Sequence, residues 1–394
     1  MKVFRNADVI TDSGVIADGM VLVRGDRIDY AGPMCEVPAG AEIIDAGGLF
    51  LAPGFVDIHV HGGAGSDFMD AAGADIETVF RYHAAHGTTS LCPTTATAPL
   101  AETLSALEAL ERYRRGPQRF GRALGAHIEG PYLAMTKRGC HLPQYVRNPD
   151  EREWNQILDR GPIASMTLAP ELPGARPLVE ELHRRGANAN VGHSEALYQE
   201  VEDAADWGVR HVTHLYCAMT DAMNNRWRGT PNPRSGGIVE AVYLDDRLSS
   251  ELITDGKHLS GEMLRLAFRN KGYEKLAIVT DAMRGAGMPD GEYTFGPRHG
   301  MMAVVKNGEA RVPDGTALAS SVFPMNEMVR VFRDLAGCPL WQAVRMASLT
   351  PAEIVHRAAD IGSIAAGKLA DLVVIDHQVN VRATFIGGVL CPAT

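Results

Sequence analysis

Two histidines separated by one residue end an apolar run near the start of the chain, in GFVDIHVHGG, Gly54 to Gly63. Alternate side chains of an extended strand leave the same face, so His59 and His61 point the same way. Taken alone, the pair fits a metal site and two polar strand-end side chains equally well. Other polar residues occupy similar places further on: Glu129 in ALGAHIEGP, His193 in NANVGHS, His214 in HVTHLYCAM, His258 in ELITDGKH and Asp281 in LAIVTDAM. Each has a plain reading of its own. A histidine at a strand end is often just hydrogen-bonded, and Glu129 or Asp281 could cap a helix. Together, neutral imidazoles and carboxylates suit Zn2+ or Fe2+, and a carboxylate can bridge two such ions. Such an ion polarises a carbonyl and brings the pKa of water toward neutrality. A nearby carboxylate can then carry the proton from water to a leaving amine. Asp281 is the candidate for that transfer, and the reaction class is metal-assisted hydrolysis of an amide-like bond.

These residues need a scaffold that gathers them. The strand candidates FVDIHVH, TTSLCPT, ALGAHIEGP, SMTLAPE, NANVGHS, HVTHLYCAM, ELITDGKH and LAIVTDAM alternate with amphipathic segments such as AETLSALEALERYRR, PLVEELHRRG and SGEMLRLAFRNKG. Eight strands interleaved with helices predict an α/β chain folded as a (β/α)8 barrel. The C-terminal ends of its strands converge on one face, so residues two hundred positions apart would meet there. His59, His61, His193 and His214 with Glu129 and Asp281, gathered at that end of the barrel strands, outweigh the plain readings. Both ends of the chain are instead short, Val- and Ile-rich and punctuated by Gly and Asp. They predict a small β-sandwich domain from 1–52 together with 365–394, around a barrel at 53–364. A β-hairpin excursion is expected at 290–315, and NNRWRGTPNPRSGG reads as a long polar surface loop.

Composition narrows the classes. With 394 residues, 45% hydrophobic and 22% charged, the chain has the balance of a globular protein with room for a large core. A net charge of −10 and the lack of a Lys/Arg block argue against nucleic-acid binding. No apolar run approaches the roughly 18 residues of a membrane span. Cys35, Cys92, Cys140, Cys217, Cys338 and Cys391 are scattered, with no CxxC pair. That is neither a disulfide framework nor a zinc ribbon, so a reduced, cytoplasmic protein is expected, with no signal peptide.

The motifs PGFVDIHVHGG, AHIEGPYL, KRGCHLP, VGHS, HLYCAM, TDGKH and VTDAM resemble the amidohydrolase superfamily and, within it, the N-acetylglucosamine-6-phosphate deacetylase family. The resemblance runs over nearly the whole chain, to GKLADLVVID. The paired histidines and terminal Asp belong to the superfamily at large, while HIEGPYL with VGHS and HLYxAM points to the deacetylases. The resemblance implies hydrolysis of the N-acetyl group of an N-acetylhexosamine 6-phosphate, one or two divalent metal ions per subunit, and a homodimer. It implies Glu129, His193 and His214 as principal metal ligands, with His59 and His61 available for a second ion. Asp281 matches the catalytic acid/base. His141 matches a sugar-contacting histidine placed to steady the carbonyl oxygen. His258, Arg234, Cys217 and Ala218 fall where the family receives the 6-phosphate, although a solvated loop charge is a rival reading of Arg234. His127 could orient a ligand or simply pack, and His83, His86, His183 and His211 read as surface or helix residues.

The chain departs from the family pattern in places. Cys217 stands where the family usually has Asn, Ser320 stands where it has Gly, and the loop after Thr220 is long, adding Arg226, Trp227 and Arg228. These differences keep two alternatives open: a deacetylase of the galactosamine epimer or an unphosphorylated sugar, and a non-catalytic relative. The retained ligands and Asp281 weigh against the second.

Overall fold

The Val- and Ile-rich runs at the two ends of the chain hydrogen-bond into one mixed sheet. In the computed structural model, which describes residues 1–223 and 235–392, seven strands lie in the order Val389–Leu390, Val381–Ile386, Leu372–Ile375, Glu42–Pro53, Lys2–Ile10, Val15–Arg24 and Arg27–Pro33. Lys2–Ile10 pairs with Glu42–Pro53 in parallel, while the other neighbours are antiparallel. Phe4 meets Phe385 edge to face with ring centroids 4.9 Å apart, in a core shared with Val9, Val23, Leu51 and Leu372. Such an aromatic pair contributes roughly 1 kcal/mol beyond its buried area and fastens the two chain ends together.

Gly54 carries the chain from this sheet into the barrel, and a β-carbon there would collide with the Thr89 side chain. The barrel strands follow in chain order: Phe55–Val60, Thr88–Pro93, Ala126–Glu129, Ile163–Leu168, Asn188–Val191, His211–Val212, Ser249–Ile253 and Leu276–Val279. Consecutive strands are parallel. A bridge between Thr94 and His127 joins the second to the third, and Asp281 N–H to His59 O at 2.8 Å closes the ring. Nearly all strand residues are buried, which is why they read as continuous apolar runs.

Each strand leads to a helix, in order Gly73–Ala85, Leu100–Arg115, Glu151–Leu158, Ala175–Arg184, Tyr198–Trp207, Ile238–Leu244, Gly261–Lys271 and Met325–Ala336. Ala175, Leu178, Val179 and Leu182 show how they dock: one buried stripe at helical spacing, with Arg and Glu on the opposite side. Burying each leucine contributes roughly 2 kcal/mol. The α/β barrel expected from the sequence is thus the fold adopted, with a mixed sheet of N- and C-terminal strands beside it.

Between the eighth strand and its helix, Gly291–Phe295, Met301–Lys306 and Glu309–Arg311 form an antiparallel sheet of three strands. It delivers Phe295 against His61 and His141, with ring centroids 4.7 and 5.3 Å away. The stretch 224–234, with Arg226, Trp227, Arg228 and Arg234, lies outside the described residues. Among the described residues, no helix is long and apolar enough to cross a membrane.

Candidate metal centre and its cavity

The sequence motifs converge at the C-terminal ends of the barrel strands. His59 and His61 flank Val60, the last residue of the first strand, Glu129 ends the third, and His193, His214 and Asp281 follow the fifth, sixth and eighth. Glu129 is the hub. Its Oε1 lies 3.3 Å from Nε2 of each of His59, His193 and His214, and its Oε2 lies 3.2 Å from Nε2 of His61 and of His141. Asp281 Oδ1 stands 3.3 Å from His61 Nε2 and 3.5 Å from His59 Nε2.

Two buried triads share Glu129: His59, His61 and Glu129, and Glu129, His193 and His214. The fit to a cation rests on more than residue type. Glu129 Oε1 is buried and faces three imidazole nitrogens, yet it makes no hydrogen bond. Two donors about 2.1 Å from a shared ion stand about 3.4 Å apart at a tetrahedral angle, which is the spacing found here. Charge points the same way. Burial opposes ionisation of Glu129, but His59 and His193 hold its carboxyl well below the usual range. Asp281 is likewise held down by His59 and His61 against the effect of burial. Buried carboxylates packed this closely call for positive charge among them.

Hydrogen-bond partners set the imidazole tautomers. His193 Nδ1 lies 2.7 Å from the Lys137 carbonyl, which can only accept, so Nδ1 carries the proton and the neutral ring, as a cation would take it, offers a lone pair at Nε2. His59 Nδ1 faces the Glu251 carboxylate at 2.6 Å, with the same result. His141 is opposite. Its Nδ1 accepts the Thr97 backbone N–H at 3.2 Å, so the proton of the neutral ring sits on Nε2. Burial pushes His141 down to about 4, which keeps it neutral. Around Glu129, His59 and His193 are thus lone-pair donors and His141 is an N–H donor.

Three of these residues sit in a backbone region that non-glycine residues rarely adopt: His193 at φ +47°, His214 at φ +26° and Asp281 at φ +46°. Each costs roughly 1–3 kcal/mol, and such strain gathers where a side chain must be aimed. Ser320 is also left-handed, at φ +67°, the conformation that glycine adopts most readily. Its hydroxyl donates to the Asp281 carbonyl and lies 3.0 Å from Asp281 Oδ1.

The centre opens into a cavity of about 360 Å³ lined by Glu129, Lys137, His141, His193, His214, Cys217, Ala218, His258, Phe295 and Asp281. Residues expected around a phosphate, Cys217, Ala218 and His258, thus share one wall system with the metal centre. Arg234 falls outside the described residues. His258 Nδ1 lies 2.7 Å from Asp255 Oδ2. Burial lowers the His258 pKa, but the hydrogen bond and charge of Asp255 raise it further, favouring the cation. Burial and the nearby Asp281 and Asp255 charges push the Cys217 thiol up to about 12, so it stays protonated.

Some residues stand elsewhere than expected. His211 is wholly buried in a strand rather than on the surface or a helix, whereas His83 lies on its helix with its ring wholly buried. His83 Nε2 donates to Gly62 O at 3.0 Å, and His211 begins the sixth strand, bonded to Glu251. His183 is exposed on its helix. His127 lies 2.7 Å from Thr167 Oγ1 through Nε2 and stacks its edge on His59, centroids 4.6 Å apart. Glu251, Lys137 and Thr97 were not singled out from sequence. Glu251 left a signal, an acid inside the buried run ELI; Lys137 and Thr97 act through backbone atoms that residue type does not reveal.

Known proteins share this arrangement. The Amidohydrolase family profile matches residues 50–391. The chain is 33% identical over 351 residues to the N-acetylglucosamine-6-phosphate deacetylase of Vibrio furnissii, covering 88% of this chain and 84% of that protein. It is 32% identical over 391 residues to the N-acetylgalactosamine-6-phosphate deacetylase of Escherichia coli O157:H7, covering 98% of each. A solved structure of an N-acetyl-D-glucosamine-6-phosphate deacetylase mutant from Mycobacterium smegmatis, in complex with N-acetyl-D-glucosamine-6-phosphate, aligns with a TM-score of 0.90 at 32% identity. That match covers 100% of this chain and 99% of the other.

Proposed function

The chain belongs to the amidohydrolase family, and from that premise we propose that it hydrolyses N-acetylglucosamine 6-phosphate to glucosamine 6-phosphate and acetate. The observation that carries the reading is the unbonded Glu129 Oε1, ringed by three imidazole nitrogens and faced by Asp281 and an N–H donor, His141. Glu129, His193 and His214 would hold one ion, and Glu129, His59 and His61 a second, with Zn2+ or Fe2+ favoured by the nitrogen and oxygen donors. A divalent ion there supplies a Lewis acid that polarises the amide carbonyl and makes water more acidic.

The protein's own groups do the rest. Asp281 Oδ1 takes a proton from the attacking water as its oxygen bonds to the carbonyl carbon. The same carboxyl returns that proton to the nitrogen as the C–N bond breaks, so acetate and an amine leave. His141 Nε2–H donates to the carbonyl oxygen as negative charge builds on it. His258, with the backbone N–H of Ala218 and the thiol of Cys217, receives the 6-phosphate, joined by Arg234. A cytoplasmic homodimer completes the proposal, and sedimentation equilibrium tests the dimer.

Acetate release decides the matter, measured with defined divalent metal on N-acetylglucosamine 6-phosphate, its galactosamine epimer and the unphosphorylated sugars. Preference for the first is expected. Preference for the epimer would favour the second reading, which the Escherichia coli relative and Cys217 keep in play. No turnover of any of them by metal-loaded protein would sink both.

A further inference from the structure

Four imidazoles surround Glu129 as ligand candidates, and their remote nitrogens are not treated alike. Among the described residues, Nδ1 of His61 and Nδ1 of His214 are buried with no hydrogen-bond partner. His193 Nδ1 has a carbonyl, Lys137 O, at 2.7 Å. Only His59 has a carboxylate, Glu251 Oε1, at 2.6 Å. A charged acceptor shortens that bond, fixes the ring and makes the opposite nitrogen a better donor to a cation.

Glu251 is built into the barrel for this contact. It lies midway along the seventh strand, 1% exposed, where an unpaired charge would cost several kcal/mol. Oε1 faces His59 Nδ1 and also accepts the His214 backbone N–H at 3.2 Å, at the strained residue of the other triad. Oε2 lies 3.0 Å from His211 Nε2, and His211 Nδ1 lies 2.9 Å from Ser249 Oγ. The line Ser249–His211–Glu251–His59 runs along the inside of the barrel, from the start of the sixth and seventh strands to the metal centre at their far ends. If Glu251 served only to hold His211, Oε1 would not need to reach the first strand.

We propose that Glu251, braced by His211, is the positioning residue of the His59–His61 half of the centre and decides whether that half holds its ion. The inference rests on the two-ion reading of the proposed function. Glu251 holds the His59 ring with its Nε2 lone pair directed at Glu129. Without it the ring is free to flip or to take the other tautomer, and that half loses a ligand while His193 and His214 keep theirs.

The test counts ions in the full chain stripped of metal and reloaded with Zn2+, and measures both affinities by chelator competition. The parent is expected to hold two ions. Glu251→Ala should weaken one ion by about 10–100-fold and leave the other within a few-fold. Glu251→Gln, whose amide oxygen still accepts from His59 Nδ1, should fold and keep two ions, one of them bound several-fold more loosely. A general structural role would lower thermal stability or loosen both ions together. Both affinities unchanged in Glu251→Gln, or in Glu251→Ala where it folds, would overturn the inference. A parent that holds one ion, unaffected by His61→Asn, would also overturn it while leaving the deacetylase reading standing; a parent that takes up no ion would overturn both.

Discussion

The Thr97 backbone N–H points at Nδ1 of His141 from 3.2 Å, and so leaves the proton of that neutral imidazole on Nε2, 3.2 Å from the Glu129 carboxylate. His59 and His193, whose Nδ1 protons are held by Glu251 and the Lys137 carbonyl, turn lone pairs toward Glu129 instead. One main-chain donor therefore separates His141 from the histidines that offer lone pairs.

His141→Ala should lower kcat by about 10²–10³, the usual cost of losing one donor to a developing oxyanion, with bound metal unchanged. His141→Gln, which restores an N–H, should recover part of the loss. Steady-state kinetics with metal analysis checks this; an unaltered kcat in the alanine variant would remove His141 from the reaction.

Asp281→Asn keeps the shape of the side chain and removes its capacity to take a proton. A fall in kcat of about 10²–10⁴ is expected, with little change in KM. Turnover that survives the substitution at full rate would move proton transfer to another group.

Cys217 lines the cavity with a protonated thiol, a weak donor where the family resemblance leads one to expect an Asn amide. Cys217→Asn should lower KM for the phosphorylated sugar by about 2–10-fold, the yield of one neutral hydrogen bond, and leave the unphosphorylated sugar unaffected. His258→Asn should raise KM for the phosphorylated sugar alone. Equal effects on both sugars would place the phosphate elsewhere.

His83 bears on acid stability. Burial pushes it down to about 4, and its Nδ1 has no partner, so protonation would strand a second N–H in the core. The unfolded chain takes up that proton near 6.5 and the folded chain only near 4. The stabilisation is therefore present above pH 6.5, declines as the pH falls from 6.5 to 4, and is gone below; over that window it amounts to about 3 kcal/mol. His83→Gln, which can still donate to Gly62 O, should flatten the fall in stability between pH 6.5 and 4 as followed by denaturant unfolding. A slope equal to the parent's would assign the acid sensitivity to other groups.

The centre was legible in sequence wherever a chemically marked residue stood at the end of an apolar run. His59, His61, Glu129, His193, His214 and Asp281 all obey that pattern, because a parallel barrel hides the strand bodies and exposes only their ends. The eight strands were legible for the same reason: burial on both faces demands continuous apolar runs of the kind seen in LAIV and IASMTL. His211 was misread because a histidine at a strand start carries no mark of the packing around it. Arg234 rested on spacing alone.

The spacing of apolar and polar residues along the chain was enough to specify strand, helix and which strand ends carry the candidate ligands, since those follow from local periodicity and burial. It could not specify which nitrogen of each ring carries a proton. That depends on atoms distant in sequence and brought close by barrel closure: Glu251 beside His59, 192 positions away, the Lys137 carbonyl beside His193, and the Thr97 N–H beside His141. A hydrogen bond acts over about 3 Å, so the difference between a metal-ligating histidine and a proton-donating one exists only once the barrel has closed.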